Sequence, residues 1–116
     1  MATLANLALY TVYLPLNDNH GEPIAADRLR WARDEIARLA GGCTVLPASD
    51  GLWIAPDGQM RFDRVVPIWA VAPDTQEIAW RFRRLASELA ALLEQHEVFI
   101  HRMPVAVLEA LVPVPS

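Results

Sequence analysis

The chain has 116 residues, of which 53% are hydrophobic and 21% are charged, and its formal net charge is −4. We expect one domain, residues 1–116, because a chain of this length buries enough apolar surface to fold without a metal or a disulfide. The acidic balance disfavours nucleic-acid binding, which normally requires a surplus of Lys and Arg. Neither a signal peptide nor an apolar run near the ~18 residues of a membrane span is evident. With Cys43 as its single cysteine, the protein is expected to be cytoplasmic.

The first strand is predicted at Leu7 to Leu16, which is rich in Tyr, Val and Leu. Both sets of alternate positions in it are largely apolar, whereas an antiparallel strand with one solvated face should alternate with polar residues. A helix is predicted from Ile24 to Ala40, with Pro23 at its start and Gly41-Gly42 as its stop signal. We therefore expect the first strand to be covered on both faces.

The middle of the chain is predicted to form a short strand and a hairpin. The strand Cys43 to Pro47 continues through Gly51 to Ala55 after a turn at 48–50, and Pro56-Asp57-Gly58 forms a second turn. The chain then returns along Gln59 to Ala72. Pro67 has no amide hydrogen to donate to a sheet ladder, so a bulge or an unpaired position is expected there.

A second helix is predicted from Thr75 to about Gln95, because apolar residues recur on one of its faces at helical spacing. Asp74 is expected to be its N-cap, with Glu77 completing a capping box at the third helical position.

The last compact strand is predicted at Glu97 to Arg102, with Pro104 interrupting it, and Val105 to Val112 fits either a strand or a helical turn. This order of elements predicts an α+β fold, the ferredoxin-like split β-α-β sandwich (βαββαβ), with an antiparallel sheet and two helices on one face. The other face would then expose more apolar surface than monomers usually tolerate. A homo-oligomer is therefore expected.

The sequence contains few residues that point to a catalytic or metal-binding site. No metal site is expected, since His96 and His101 are five residues apart and lack a close third ligand, and without a recognisable catalytic or phosphate-binding motif no cofactor is expected either. His101 and Tyr13 should lie on neighbouring strands, where the pair would exchange protons with a small ligand. The alternative is a histidine that serves packing or a subunit interface.

Three side chains of the predicted hairpin are candidate binding residues. Trp53 should have few core neighbours, so we expect it either to contact a ligand or another subunit, or to pack locally. Arg61 and Arg64 are suited to receive an anion or a carboxylate. The alternative for the two arginines is an exposed, charged strand end.

Two stretches resemble the PII-like proteins, which include the PII signal proteins and the CutA-type proteins. Gly42-Cys43-Thr44-Val45, followed by Gly51, resembles the Gly-x-Thr-Val segment that opens the second strand of that family. Val98-Phe99-Ile100, followed by Met103 to Leu108, resembles the segment after its second helix.

The resemblance implies a trimer with ligands held in clefts between subunits. Gln95-His96-Glu97 stands where the family has a Gly-rich, Lys-bearing segment for nucleotide phosphates, so ATP binding is not implied. Carried over by position, the ligand-binding residues implied by the resemblance are Gly42, Thr44, Gly51, Arg61, Arg64, Phe99, His101 and Arg102.

Taken together, these features predict a non-catalytic, oligomeric protein that binds a small molecule or has a regulatory role, with a trimer favoured over a dimer. Two alternatives stay open. One is a small enzyme of the dimeric α+β barrel type, acting on a small organic substrate through His101 and Tyr13. The other is a protein-interaction adaptor that binds no small ligand.

Overall fold

Five strands and two helices are found in residues 6–108, the part of the chain that the computed structural model describes. The strands form one antiparallel sheet of order β2-β4-β1-β5, in which β3 also pairs with β4. The predicted α+β, ferredoxin-like arrangement is therefore confirmed. The elements are β1 (Leu7–Pro15), α1 (Ala26–Ala40), β2 (Thr44–Val45), β3 (Ser49–Ile54), β4 (Met60–Pro73), α2 (Gln76–Leu92) and β5 (Ile100–Val105).

The core lies between the sheet and the two helices. Alternate residues of β1 point into it, because successive side chains of a strand leave opposite faces, and they meet helical side chains spaced three or four residues apart. Each large apolar side chain that is fully buried there contributes roughly 1.5–3 kcal/mol. The core includes Tyr10, Val12 and Leu14 of β1, Ile36 of α1, Ile68 of β4, and Phe82, Leu85 and Leu89 of α2.

The first helix begins later than predicted. Ile24 is not helical, because its amide donates to the carbonyl oxygen of Leu16 at 2.9 Å and the preceding Pro23 forms an isolated bridge with Asn17. The helix ends as predicted at Gly41, whose φ of 85° is a left-handed conformation that glycine adopts without steric cost.

The second helix is capped by Thr75 and not by Asp74, so that prediction was wrong. The Oγ1 atom of Thr75 accepts a hydrogen bond from the amide of Ile78 at 3.2 Å. The carboxylate of Asp74 instead accepts a hydrogen bond from Nε of Arg102 at 3.0 Å. The helix also ends at Leu92, before the predicted Gln95, and Glu94 adopts a positive φ of 52°.

The irregularity predicted at Pro67 occurs on one side of β4 only, the side of β2 and β3. The pairing of β1 with β4 is unbroken, and Pro67 lies opposite Tyr13. The amide of Tyr13 points away from β4 and donates to the carbonyl oxygen of Phe99, just before β5, at 3.0 Å. The carbonyl oxygen of Pro67 accepts a hydrogen bond from the amide of Leu46 at 2.9 Å. The side of Pro67 that lacks an amide hydrogen therefore faces the short strand β2, and the hydrogen bonds between β4 and β1 remain intact.

On the side of β4 away from β1, the pairing register slips by one residue between β2 and β3. Val45 pairs with Ile68 and Ser49 pairs with Val65, so residues 46–48 lie opposite residues 66–67. The extra residue separates β2 from β3 in the manner of a bulge. Ser49 and Asp50 belong to β3 and not to the predicted turn at 48–50.

Beyond the slip, β3 and the first part of β4 form a two-stranded arm, which we define as residues 49–64. Its predicted turn is confirmed, since the amide of Gly58 donates to the carbonyl oxygen of Ala55 at 2.8 Å and Gly58 has a φ of 82°. The 14-residue strand β4 spans roughly 46 Å at 3.3 Å per residue. The arm therefore projects past the end of β1, whose last residue Pro15 pairs with Val65.

The last strand starts at Ile100 and runs through Pro104, so its predicted bounds and interruption were wrong. Pro104 pairs with Ala8, and this is tolerated because β5 is an edge strand, where proline can leave its amide-free side unpaired. Of the segment Val105 to Val112, Val105 ends β5, residues 106–108 have no regular structure, and residues 109–112 lie outside the described residues. No described helix has the length and apolar character needed to span a membrane.

Candidate functional site

The sheet face opposite the helices carries a row of mostly large side chains. We call it the open face and define it as Leu9, Thr11, Tyr13, Trp69, Val71, His101 and Met103. Thr11 lies between Trp69 and His101, and Leu9 lies between Val71 and Met103. Trp69, Val71 and Met103 are 46%, 42% and 49% exposed. A single chain therefore leaves an apolar face in contact with water.

Three rings gather at one end of the open face. The ring centroids of Tyr13 and His101 are 5.4 Å apart, and Phe99 lies 5.8 Å from Tyr13 and 5.9 Å from His101. The predicted proximity of His101 to Tyr13 is confirmed. Within residues 6–108, neither side chain makes a hydrogen bond, so both polar groups of this pair are available to a ligand or to another subunit.

Both arginines predicted to bind an anion have acidic partners within the arm. Arg61 contacts the carboxylate of Asp57 at 3.0 Å, and Arg64 contacts that of Asp50 at 3.2 Å. The acidic partners follow from the turn geometry and the cross-strand register, which the sequence reasoning did not use. These pairs reduce the positive charge that the two arginines present to an outside anion.

The arm has one polar and one apolar face. Trp53 lies on the polar face, where its indole Nε1 donates to the carboxylate of Asp63 at 3.0 Å. The opposite face carries the Arg64–Asp50 pair at its base and, beyond it, four apolar side chains that are each more than half exposed, a cluster typical of a protein-contact surface. They are Leu52, Ile54, Met60 and Phe62.

The predicted binding residues fall into three separate places. Gly42 and Thr44 lie at the β2 edge, Gly51, Trp53, Arg61 and Arg64 lie on the arm, and Phe99, His101 and Arg102 lie at the β5 edge. The strand order puts β2 and β5 at opposite edges, which is about 14 Å at ~4.8 Å per strand. One chain therefore does not bring the three groups together.

A cavity lies on the helix side of the sheet, between α2 and β5, and the sequence reasoning missed it. Its volume is about 760 Å³, and we call it the α2–β5 cavity. The one signal in the sequence is Arg102, a charged residue at a strand position that faces the helices. Among its lining residues are Tyr10, Thr75, Phe82, Arg83, Ile100 and Arg102.

Tyr10 is the unusual polar group of this cavity. It lies directly opposite Arg102 on the neighbouring strand, is only 3% exposed, and stacks on Phe82 with ring centroids 3.9 Å apart. Its hydroxyl has no hydrogen-bond partner within the described residues. Burial raises the pKa of Tyr10, and the charge of Arg102 partly opposes that rise.

The burial of Tyr10 predicts a loss of stability at alkaline pH. The pKa of Tyr10 in the folded chain lies above its ordinary value of 10.0, so the unfolded state releases the proton first. The loss of folding stability caused by Tyr10 is absent below pH 10.0, and it grows as the pH rises toward the pKa of Tyr10 in the folded chain. We expect the free energy of unfolding in urea to fall more steeply above pH 10.0 for the wild type than for Tyr10→Phe. Equal pH dependence of the two proteins would contradict this.

No cluster of three or more His, Cys, Asp and Glu side chains suited to a metal ion occurs between residues 6 and 108. No protein-family model matches the chain, and no curated protein matches it.

Solved structures do share the fold. CutA1 of Thermus thermophilus, a divalent cation tolerance protein, has a TM-score of 0.63 at 15% identity, covering 89% of this chain and 87% of its own. CutA1 of Oryza sativa has a TM-score of 0.64 at 13% identity, covering 93% and 87%. A phage SAM lyase in complex with S-methyl-5'-thioadenosine has a TM-score of 0.68 at 14% identity, covering 90% and 85%. The chain therefore has the ferredoxin-like fold of the CutA1 proteins, which belong to the PII-like superfamily, so the resemblance noted in the sequence is confirmed at the level of the fold.

Proposed function

We propose that this protein is a cytoplasmic homo-oligomer of PII-like architecture that binds a small molecule or serves a regulatory role without catalysis. The observation that carries the proposal is the open face, where Trp69, Val71 and Met103 are each more than two-fifths exposed. Other copies of the same chain would cover the open face, because an assembly with closed symmetry buries this face in every copy and leaves no further apolar face exposed.

The arm supports the same proposal. Its four apolar side chains are each more than half exposed, so the core of the same chain does not cover them. A projecting hairpin with one apolar face is suited to reach across a neighbouring copy. A trimer is favoured over a dimer, because the fold is shared with CutA1 proteins and the sequence resembles the PII-like family.

The separation of the predicted binding residues within one chain also supports a homo-oligomer. The β2 edge, the arm and the β5 edge are apart within one chain, and only a symmetric arrangement of copies would bring different groups together. Clefts between subunits are then the proposed binding sites, with Thr44, Trp53, Phe99 and His101 among their side chains.

Native mass spectrometry and a thermal-shift screen of the full chain test this proposal. We expect a mass of three chains, and a rise in melting temperature of roughly 5–10 °C with a compound present at about 100 times its dissociation constant. The screen includes nucleotides, metabolites, S-adenosylmethionine and S-methyl-5'-thioadenosine. A single-chain mass of 12.9 kDa would contradict the assembly, and an oligomer that no compound stabilises would favour the adaptor.

The enzyme alternative is supported by the pairing of His101 and Tyr13 at 5.4 Å. A histidine and a phenol at this separation would serve as an acid–base pair for a substrate lying on the open face. The phage SAM lyase indicates that enzymes occur on this fold. Turnover of a screened compound that both His101→Gln and Tyr13→Phe abolish would favour this alternative over the binding protein.

A further inference from the structure

We propose that the α2–β5 cavity binds a small organic carboxylate with an aromatic or apolar body. The cavity is built within one chain, so this site does not depend on the proposed oligomer or on its clefts. Three features of the described residues carry the proposal: a buried hydroxyl without a partner, a surplus of positive charge at one end, and an apolar wall.

The hydroxyl of Tyr10 indicates that a polar ligand atom belongs in the cavity. Burying a hydroxyl without a hydrogen bond costs about 1–3 kcal/mol, and native proteins rarely leave such a group unsatisfied. Tyr10 is 3% exposed and lines the cavity. A ligand oxygen that accepts its hydrogen would remove this cost.

The charges at the α2 end of the cavity favour an anion. Arg83 has no acidic partner within the described residues, and Arg102 is bound to Asp74 through Nε, which leaves its terminal nitrogens for another acceptor. Two guanidinium groups against one carboxylate give a formal surplus of one positive charge. Glu77, the nearest further acid on α2, is paired with Arg81 at 2.8 Å.

The start of α2 adds to this positive potential. The side chain of Thr75 satisfies the amide of Ile78, but the amide of Gln76 has no partner within residues 6–108, and Gln76 lines the cavity. Free amides and the helix dipole together make a helix N-terminus a favourable place for a negative group. The surplus of about one charge matches a carboxylate better than a phosphate monoester, which carries roughly −1.5 to −2.

The remaining wall is apolar and suits the body of the ligand. Phe82, Val98 and Ile100 line it together with Ala79 and Ala86. A volume of about 760 Å³ falls in the range of ~300–1,000 Å³ that is typical of small-molecule sites. A single aromatic ring would lie against this wall with its carboxylate near Arg83, Arg102 and the hydroxyl of Tyr10, because the charges of both arginines act on that hydroxyl.

Nuclear magnetic resonance of the ¹⁵N-labelled full chain tests the site. The probes are benzoate, 4-hydroxybenzoate, the neutral amide benzamide, and phenyl phosphate. We expect both carboxylates to shift the amide resonances of Thr75 and Gln76 saturably, and benzamide to shift them little. No saturable shift with either carboxylate, an equal response to benzamide, or tighter binding of phenyl phosphate would overturn the proposal.

Matched variants locate the binding. Arg83→Gln is expected to weaken both carboxylates roughly tenfold or more, because it removes a charged hydrogen-bond donor. Arg84→Gln makes the same change on another side of the helix, where Arg84 pairs with Glu88, and should leave binding unchanged. Equal losses in the two variants would overturn the site, since a general charge effect would then explain them.

Tyr10→Phe tests the contribution of the buried hydroxyl to binding. It keeps the ring that stacks on Phe82 and removes only the unpartnered hydroxyl, so the chain should fold at least as stably as the wild type below pH 10.0. We expect both benzoate and 4-hydroxybenzoate to bind roughly 2- to 10-fold more weakly, because the carboxylate loses one hydrogen-bond donor. An unchanged affinity for both carboxylates would overturn the role of Tyr10.

Discussion

Replacing Phe82 with alanine is expected to lower the free energy of unfolding by about 4 kcal/mol. Phe82 is 1% exposed, and its ring lies flat on Tyr10 at an interplanar angle of 8°. The substitution removes the transfer free energy of the ring, leaves a cavity beside β1, and takes away the stacking contact. Because natural domains are stable by about 5–15 kcal/mol, this single change removes a large share of the total.

Urea denaturation followed by circular dichroism measures the effect, with both proteins at the same concentration so that any assembly contributes equally. Trp80→Ala is the control, since Trp80 lies two residues away on the same helix but is 57% exposed. We expect Trp80→Ala to cost no more than about 1 kcal/mol, including its contact with Arg84. Similar losses for the two variants would mean that α2 does not pack on β1 through Phe82.

The sequence predicts those parts of the fold that depend on local pattern. Apolar spacing along α1 and α2 and the turn at Pro56-Asp57-Gly58 are properties of neighbouring residues, and the structure confirms them. The side on which Pro67 disturbs strand pairing and the unexpected tolerance of Pro104 have one cause. Whether a proline breaks a strand depends on which neighbouring strand its amide would face, and that is a property of the sheet order.

The same limit applies to the candidate site. Asp74 and Thr75 are both good N-cap residues, and the choice between them depends on Arg102, which is 28 residues away in the chain and binds Asp74. The unpartnered hydroxyl of Tyr10 has no local signal at all, because most tyrosines in strands find a partner. The proximity of His101 to Tyr13 was predictable in outline, since it follows from the adjacency of β1 and β5.

Replacing Trp69 with glutamate is expected to convert the proposed oligomer to single chains. Trp69 is paired with Thr11 on one side and with Thr44 on the other, so it lies at the middle of the open face, where large aromatic side chains contribute most to an interface. A glutamate there would lose the ring contacts and place an unpaired charge in a dehydrated surface. We expect the dissociation constant to rise by a factor of roughly 100 or more.

Light scattering after size-exclusion chromatography, over a dilution series, measures this change. Trp80→Glu is the matched control, because Trp80 is exposed on α2 and lies away from the open face. Circular dichroism should show a folded chain for both variants, since neither side chain belongs to the core. If Trp80→Glu dissociates the assembly and Trp69→Glu does not, copies associate through the helices, and the apolar open face must then be covered by something other than a second copy.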